Sequence, residues 1–359
     1  TGQFSYSKDQ IPAIKSSGSK VRACDFDLDG DLDLLVGGRH IPWSYPEPAS
    51  SFLLVNENGV LIDKSAELAP DLKDIGIIND IKWVDLNQDE RQDIVLVGEW
   101  TSIIILENTT EGFKRLTGTD LDNQKGWWFS VEASDIDADG DQDLLLGNLG
   151  LNYKYKASDS EPFEVYYYDF DENGSKDVVL TYYNFGIQYP LRGRECSSQQ
   201  IPAIKEEFTN YDLFASSDVS DIYGESKLEQ ALHLEANNFA SIYAENIGNG
   251  NFRISQLPVE AQVSSINDFV VDDFNGDHHL DVLLAGNLYD AEVETARADA
   301  GWGLLLLGDG KGGFETASKM VSGFYLPYDV KSLIPIKSGD EKMILAGCNN
   351  DKLRVFHYK

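Results

Sequence analysis

Five times an aspartate-rich stretch of nine residues runs directly into a short apolar segment, and this recurrence limits what the chain can fold into. The stretches begin at Asp25 (DFDLDGDLD, then LLVGG), Asp85 (DLNQDERQD, IVLVGE), Asp135 (DIDADGDQD, LLLGN), Asp169 (DFDENGSKD, VVLTYY) and Asp273 (DFNGDHHLD, VLLAGN). Positions 1, 3, 5 and 9 carry side-chain oxygens: Asp25, Asp27, Asp29 and Asp33; Asp85, Asn87, Asp89 and Asp93; Asp135, Asp137, Asp139 and Asp143; Asp169, Asp171, Asn173 and Asp177; Asp273, Asn275, Asp277 and Asp281. A short loop surrounds a hard cation such as Ca2+ with oxygen in this way. Zinc would ask for Cys or His, and Mg2+ keeps more of its water and takes fewer carboxylates.

An EF-hand would need Glu at position 12 and a helix on each side. Position 12 here is Val36, Leu96, Leu146, Leu180 or Leu284, inside runs that read as strands, and the segments before the loops are strand-like too. Each loop is therefore expected in the turn of a β-hairpin. Asp25 and Asp135 open loops with four aspartates and a glycine, Gly30 or Gly140, at position 6, where the sharp turn favours positive φ. The Asp169 loop keeps Gly174 but has Asn173, and the loops at Asp85 and Asp273 replace the glycine by Glu90 and His278. Up to five Ca2+ sites are expected, with the Asp25 and Asp135 loops foremost and the Asp85 and Asp273 loops weakest. A sixth copy, Tyr328 to Gly347, keeps the hairpin shape but places Ile334, Ile336, Ser338 and Lys342 where ligands would be.

Strand pairs repeated at intervals of tens of residues mean a solenoid or a propeller, because one unit cannot bury its apolar face alone. Between the metal hairpins lie further strand pairs with G-x-F-like turns, such as SIIILENTTEGFKRLT and GLLLLGDGKGGFETAS. Two hairpins supply the four antiparallel strands of a propeller blade. The expectation is an all-β fold, a single β-propeller domain over residues 1–359, with six blades favoured and seven possible. The N-terminal GQFSYSKDQIPAI would complete the last blade as its fourth strand and close the ring. Over residues 188–235 the β rhythm gives way to segments that read as short helices, a helical insertion on one face.

The net charge of −32, from 29 basic and 61 acidic residues, argues against nucleic acid as a partner. Three cysteines do not describe a disulfide framework. No run is long enough to span a membrane, so no membrane insertion is expected of this chain. It opens abruptly in a strand, as a mature or excised fragment would.

In a four-stranded blade the first and third turns share one face, and the connection from the second strand to the third lies on the other. The metal loops define the first face. The opposite face is expected to hold a ligand-binding set of Arg39, His40, Trp43, Trp100, Asn148, Asn152, Arg192, Arg194, Arg297 and Trp302. Aromatic rings suit stacking on sugars, and arginines suit carboxylates; structural roles for the same residues stay open. Trp83, Trp127 and Trp128 read as blade-packing residues. No catalytic residue is assigned. Glu99, Glu195 and Asp290 are the acids on that face that could form a glycosidase pair, which needs two carboxyls roughly 5–9 Å apart.

The D-x-[DN]-x-[DN]-x-x-x-D hairpins followed by DLLVGG-type strands resemble the FG-GAP/VCBS repeats of integrin α-subunit propellers and their bacterial relatives. More narrowly, VGGRHIPWSYPEP, GWWFSVEASDIDADGD, GNLGLN and LTYYNFGIQYPLRGRECSSQQIP resemble the carboxy-terminal half of large VCBS-repeat proteins of Bacteroidetes-type bacteria. The resemblance implies a calcium-binding propeller exported to the cell envelope, outer membrane or surface, where glycan or protein would be its partner. A non-enzymatic binding module is the leading expectation. The alternatives are a propeller glycoside hydrolase or polysaccharide lyase with structural calcium, and a purely structural scaffold within a longer protein.

Overall fold

A computed structural model describes residues 10–291, 295–339 and 341–358. The fold is all-β and propeller-like, built from six antiparallel sheets among the described residues. The first sheet comprises β1 (Ser17–Cys24), β2 (Asp33–His40), β3 (Phe52–Glu57) and β4 (Val60–Asp63). The second holds β5 (Ile77–Val84), β6 (Asp93–Thr101), β7 (Ile104–Thr109) and β8 (Gly112–Arg115), with the short β9 (Gly126–Trp127) added against β6. The third starts with β10 (Ser130–Ser134) and β11 (Asp143–Gly147), and the chain then leaves it. It builds a separate sheet from β12 (Phe163–Tyr168), β13 (Asp177–Asn184), β14 (Ile187–Pro190) and β15 (Leu232–Ala236) before returning to the third sheet with β16 (Ile242–Asn246) and β17 (Phe252–Gln256). The last two sheets are β18 (Ile266–Asp272), β19 (Asp281–Gly286), β20 (Leu304–Gly308) and β21 (Phe314–Thr316), and then β22 (Val330–Ser338), β23 (Glu341–Cys348) and β24 (Arg354–Tyr358).

Six sheets agree with the number of repeats, but they do not all surround one axis. The first strands β1, β5, β10, β18 and β22 line a common cavity, and β12 to β15 contribute nothing to its wall. Five sheets, taken as blades 1 to 5 in chain order, therefore surround this cavity, and the Asp169 hairpin belongs to a module inserted between the second and third strands of blade 3. The insertion is larger than the helical stretch read from the sequence. Its helices at Arg194–Gln200, Ala203–Glu207, Tyr211–Ala215, Val219–Tyr223 and Glu225–Gln230 form only its second half. The compressed spacing around Asp135 and Asp169 comes from this nesting, because the third strand of blade 3 lies almost a hundred residues after its second.

Neighbouring blades are joined by one recurring device. Ile-Asn-Asp opens both β5 and β18, with a bulge at the asparagine. Asn79 Nδ2 donates to Trp128 O of the next blade at 2.9 Å, and Asn267 Nδ2 donates to Val330 O at 2.6 Å. One residue on, Asp80 Oδ2 accepts from Val131 N and Asp268 Oδ2 from Leu333 N, again across the blade junction. The bulge requires a glycine opposite. A Cβ on Gly98 would lie 1.9 Å from Ile77 O, and one on Gly286 1.8 Å from Ser265 O, which explains the glycine at these positions of β6 and β19.

The strands of the middle blades are sandwiched between two sheets, so β6, β11 and β19 are buried almost continuously and lack alternation. The end blades differ. β2 alternates between buried and half-buried, and Val21, Ile334, Ile336 and Val355 are exposed on the blades that flank the seam. Among the described residues no hydrogen bond ties β22 to β1, whereas Ser19 Oγ to Ile78 O and Ser130 Oγ to Ile266 O join other junctions. The proposed closing strand falls largely on residues 1–9, outside the described residues. Gln10 O accepts from Leu61 N on β4, at the outer edge of blade 1 and not of the last blade.

Candidate metal centres

All five loops have the same backbone. Position 6 is left-handed as expected, at Gly30, Glu90, Gly140, Gly174 and His278, but so is position 4, at Leu28, Gln88, Ala138, Glu172 and Gly276. A non-glycine residue there costs roughly 1–2 kcal/mol, a strain that the sequence reading did not anticipate. The first aspartate of each loop holds the turn by accepting the N–H of position 6: Gly30 N to Asp25 Oδ2 is 3.1 Å, and Gly140 N to Asp135 Oδ2 is 3.2 Å. Position 3 accepts from position 5, and position 5 from position 7, as in Asp139 N to Asp137 Oδ1 and Asp141 N to Asp139 Oδ1.

Position 9 is a buried clamp. Asp143 Oδ2 accepts from Ile136 N within the loop, while Asp143 Oδ1 accepts from Asn246 N on the third strand. The asparagine repeats at Asn56, Asn108 and Asn246, each donating its own N–H to the position-9 aspartate. Asn108 and Asn246 also donate through Nδ2 to the position-2 carbonyl of the preceding blade's loop, Phe26 O and Leu86 O. The Asp25 and Asp85 loops are thus anchored on two blades at once.

Carboxylate oxygens come within 4.8 Å of one another in three loops: Asp25, Asp27 and Asp29; Asp135, Asp137 and Asp139; Asp169, Asp171 and Asp177. Asp25 Oδ1 and Asp135 Oδ1 are buried and have no hydrogen-bond partner among the described residues, and the same holds for Asp141 Oδ1 beside the second group. A buried carboxylate oxygen without a donor is costly, and a cation held by these residues would remove that cost. In the other two loops the oxygens are turned to internal donors. Asn87 Nδ2 and the Arg91 guanidinium both reach Asp89 Oδ2, and Asn275 Nδ2 donates to Asp277 Oδ2 at 2.9 Å. The N–H of His279 and the Asn275 amide hold the Asp277 carboxyl below its ordinary range.

Burial pushes the carboxyls of Asp93, Asp143 and Asp177 up to about 6, against backbone N–H groups that favour ionisation. Asp141 is likewise raised to about 6, by burial and then by Asp139, Asp143, Asp137 and Asp135. Because these folded-state values exceed the unfolded value near 4, the metal-free fold binds more protons than the unfolded chain between roughly pH 4 and 6. Metal-free protein is therefore expected to melt higher at pH 5.5 than at pH 7.5. Thermal melts after dialysis against chelator check this, and a melting temperature that falls on acidification would contradict it.

Four of the five aspartate loops are the turns between the first and second strands of the sheets around the cavity. The Asp169 loop is elsewhere: its Lys176 Nζ lies 2.6 Å from Glu47 Oε1 in the β2–β3 connection of blade 1. The inserted sheet packs against the second-to-third-strand connections. Phe163 stacks on Trp100 at 5.8 Å and on Tyr155 at 4.5 Å, with Leu149 of blade 3 and Leu288 of blade 4 in the same cluster.

That packing divides the expected ligand-binding set. Trp100 is 5 % exposed and donates its indole N–H to Tyr45, so it belongs to the core beneath the insertion. Asn148 is fully buried, accepting from Trp127 N and Leu149 N and donating to Asn238 O and Ala240 O. Arg194 is buried and joins its helix to the Lys205 and Phe208 carbonyls. Asn152 donates to Val263 O, Arg39 pairs with Glu99, and Arg297 pairs with Asp299 while lying over the Tyr289 ring. Arg192 lies just before the helix that starts at Arg194, His40 is half-buried at the end of β2, and Trp302 is 37 % exposed. Trp43 alone of the set is fully exposed. Trp100→Ala is therefore expected to cost about 3–5 kcal/mol of stability, and Trp43→Ala close to none. Chemical denaturation of the two variants tests this; equal effects would contradict it.

The acids considered for catalysis each have another side chain as partner. Glu99 is held by Arg39 and Tyr45, Glu195 by Lys205 and Tyr211, and Asp290 accepts from Asn349. Each lies in a different unit of the fold.

No curated protein matches the chain. Residues 85–146, which run from the metal loop of blade 2 through that of blade 3 to the end of β11, match the FG-GAP-like repeat, a propeller-type module.

Proposed function

We propose that the chain is a non-enzymatic, calcium-binding propeller module of a bacterial cell envelope or surface, and that it recognises a glycan or a protein there. The buried, partnerless Oδ1 atoms of Asp25 and Asp135 carry the calcium part of this reading. Asp25, Asp27 and Asp29, and Asp135, Asp137 and Asp139, would hold the ions. The bound cation supplies charge neutralisation and fixes the hairpin turns; it takes no part in a reaction. Recognition falls to the exposed remainder of the second-to-third-strand connections, where Trp43 projects into solvent. The separate engagement of Glu99, Glu195 and Asp290 supports binding over hydrolysis.

Native affinity electrophoresis against plant, algal and host polysaccharides, with and without Ca2+, tests the reading while reducing ends are followed. Calcium-dependent retardation that Trp43→Ala abolishes, with no new reducing ends, is the expected result for a glycan. New reducing ends would overturn the non-enzymatic reading, and no retardation across the panel would turn the search to a protein partner.

A further inference from the structure

The axial cavity, of about 540 Å3, lies within the range of small-ligand pockets, and its wall combines both charges in a chain of net −32. Lys20 and Arg22 of β1, Lys82 of β5, Glu132 of β10, Asp268 of β18 and Ser332 of β22 all line it, together with Trp83. These cations are incompletely used. Among the described residues Lys20 Nζ makes one ion pair, to Asp80 Oδ1 at 3.6 Å, too long for a hydrogen bond, and its charge also acts on Asp268. Arg22 donates through Nε to Ile81 O and through one Nη to Asp80 Oδ1, leaving the other Nη without a partner among the described residues. Asp80 is 1 % exposed and stands behind the two cations, so it orients them without blocking the cavity. On the other side Lys82 pairs with Glu132, both about a quarter exposed.

We propose that this cavity binds a sugar acid of one or two residues. The carboxylate would meet Lys20 and the free Nη of Arg22, hydroxyls would donate to Glu132 and Asp268 and bond Ser332, and a ring face would lie against Trp83. A ligand that is only anionic would leave the two carboxylates facing it, and a neutral sugar would leave Lys20 unused; a polyhydroxy carboxylate satisfies both. The inference goes beyond the reading above: it adds a sugar-acid site apart from the Trp43 surface, so either can fail alone. It rests on the ring of first strands and not on the metal loops, so calcium binding can succeed where it fails.

Calorimetric titration of calcium-saturated protein with D-galacturonate, and with D-galactose as the neutral analogue, tests it. Galacturonate is expected to bind with a Kd of about 1 mM, weakened by added salt, with no measurable heat from galactose. Lys20→Met, checked for a normal melt, is expected to weaken galacturonate about tenfold. Equal binding of the two sugars, unchanged affinity in a folded Lys20→Met variant, or no binding of galacturonate at tens of millimolar to the unaltered protein would each overturn the proposal.

Discussion

Withdrawing calcium is expected to lower the melting temperature at neutral pH by about 5–10 °C. A ligand present at a hundred times its Kd stabilises the state that binds it by about 2.7 kcal/mol per site, so two filled loops contribute roughly 5 kcal/mol. With an unfolding entropy of about 2 cal/mol/K per residue, a chain of 359 residues converts this to about 7 °C. The direction follows from the loops. Without an ion, each of the two best sites keeps a buried carboxylate oxygen with no donor, and its neighbouring carboxylates repel one another. Asp25→Asn and Asp135→Asn should each remove about half of the calcium-dependent shift. Asp273→Asn should remove little, since Asp277 in that loop is already supplied with internal donors. Scanning calorimetry with calcium and with chelator measures all four proteins; equal shifts from the three variants would contradict the ranking of the loops.

Asp80→Ala is expected to destabilise the protein by about 3 kcal/mol, with or without calcium. Its carboxylate, 1 % exposed, accepts from Arg22 of blade 1 and from Val131 N of blade 3, so one side chain holds three consecutive blades. Removing it strands a buried N–H and an arginine whose only carboxylate partner is lost. Breaking a buried pair costs about 3–5 kcal/mol, and the partial exposure of Arg22 sets the lower end. Denaturant unfolding of Asp80→Ala and Asp80→Asn measures the loss. A change under 1 kcal/mol in both would mean that blade packing alone fixes the ring.

Repeat and hairpin were legible because their signals are local. Carboxylates at positions 1, 3, 5 and 9 followed by an apolar run determine a hairpin wherever the run sits, and the β1–β2, β5–β6, β10–β11, β12–β13 and β18–β19 pairs all form. The number of blades was not legible, because the Asp169 hairpin is locally like the rest and only long-range pairing of β11 with β16 shows that it is nested. The same nesting hid the fate of Trp100, Asn148 and Arg194. Their residue types suit a ligand surface, but Trp100 lies beneath the inserted sheet, Asn148 bonds the chain returning from it, and Arg194 is held among the insertion's own helices. Two further signals stand in the sequence. Ile-Asn-Asp recurs before the Asp85 and Asp273 loops, and an asparagine stands last or next to last in the third strand at Asn56, Asn108 and Asn246. Both mark contacts between blades, and the axial Lys20, Arg22 and Lys82 become a group only once the first strands are brought together.

Calorimetric titration of the metal-free protein with Ca2+, run beside the Asp25→Asn/Asp135→Asn double variant, is the most direct test of the calcium sites. The account predicts at least two sites in the unaltered protein and the loss of two in the double variant. No binding at millimolar Ca2+, or the same number of sites in both proteins, would contradict it.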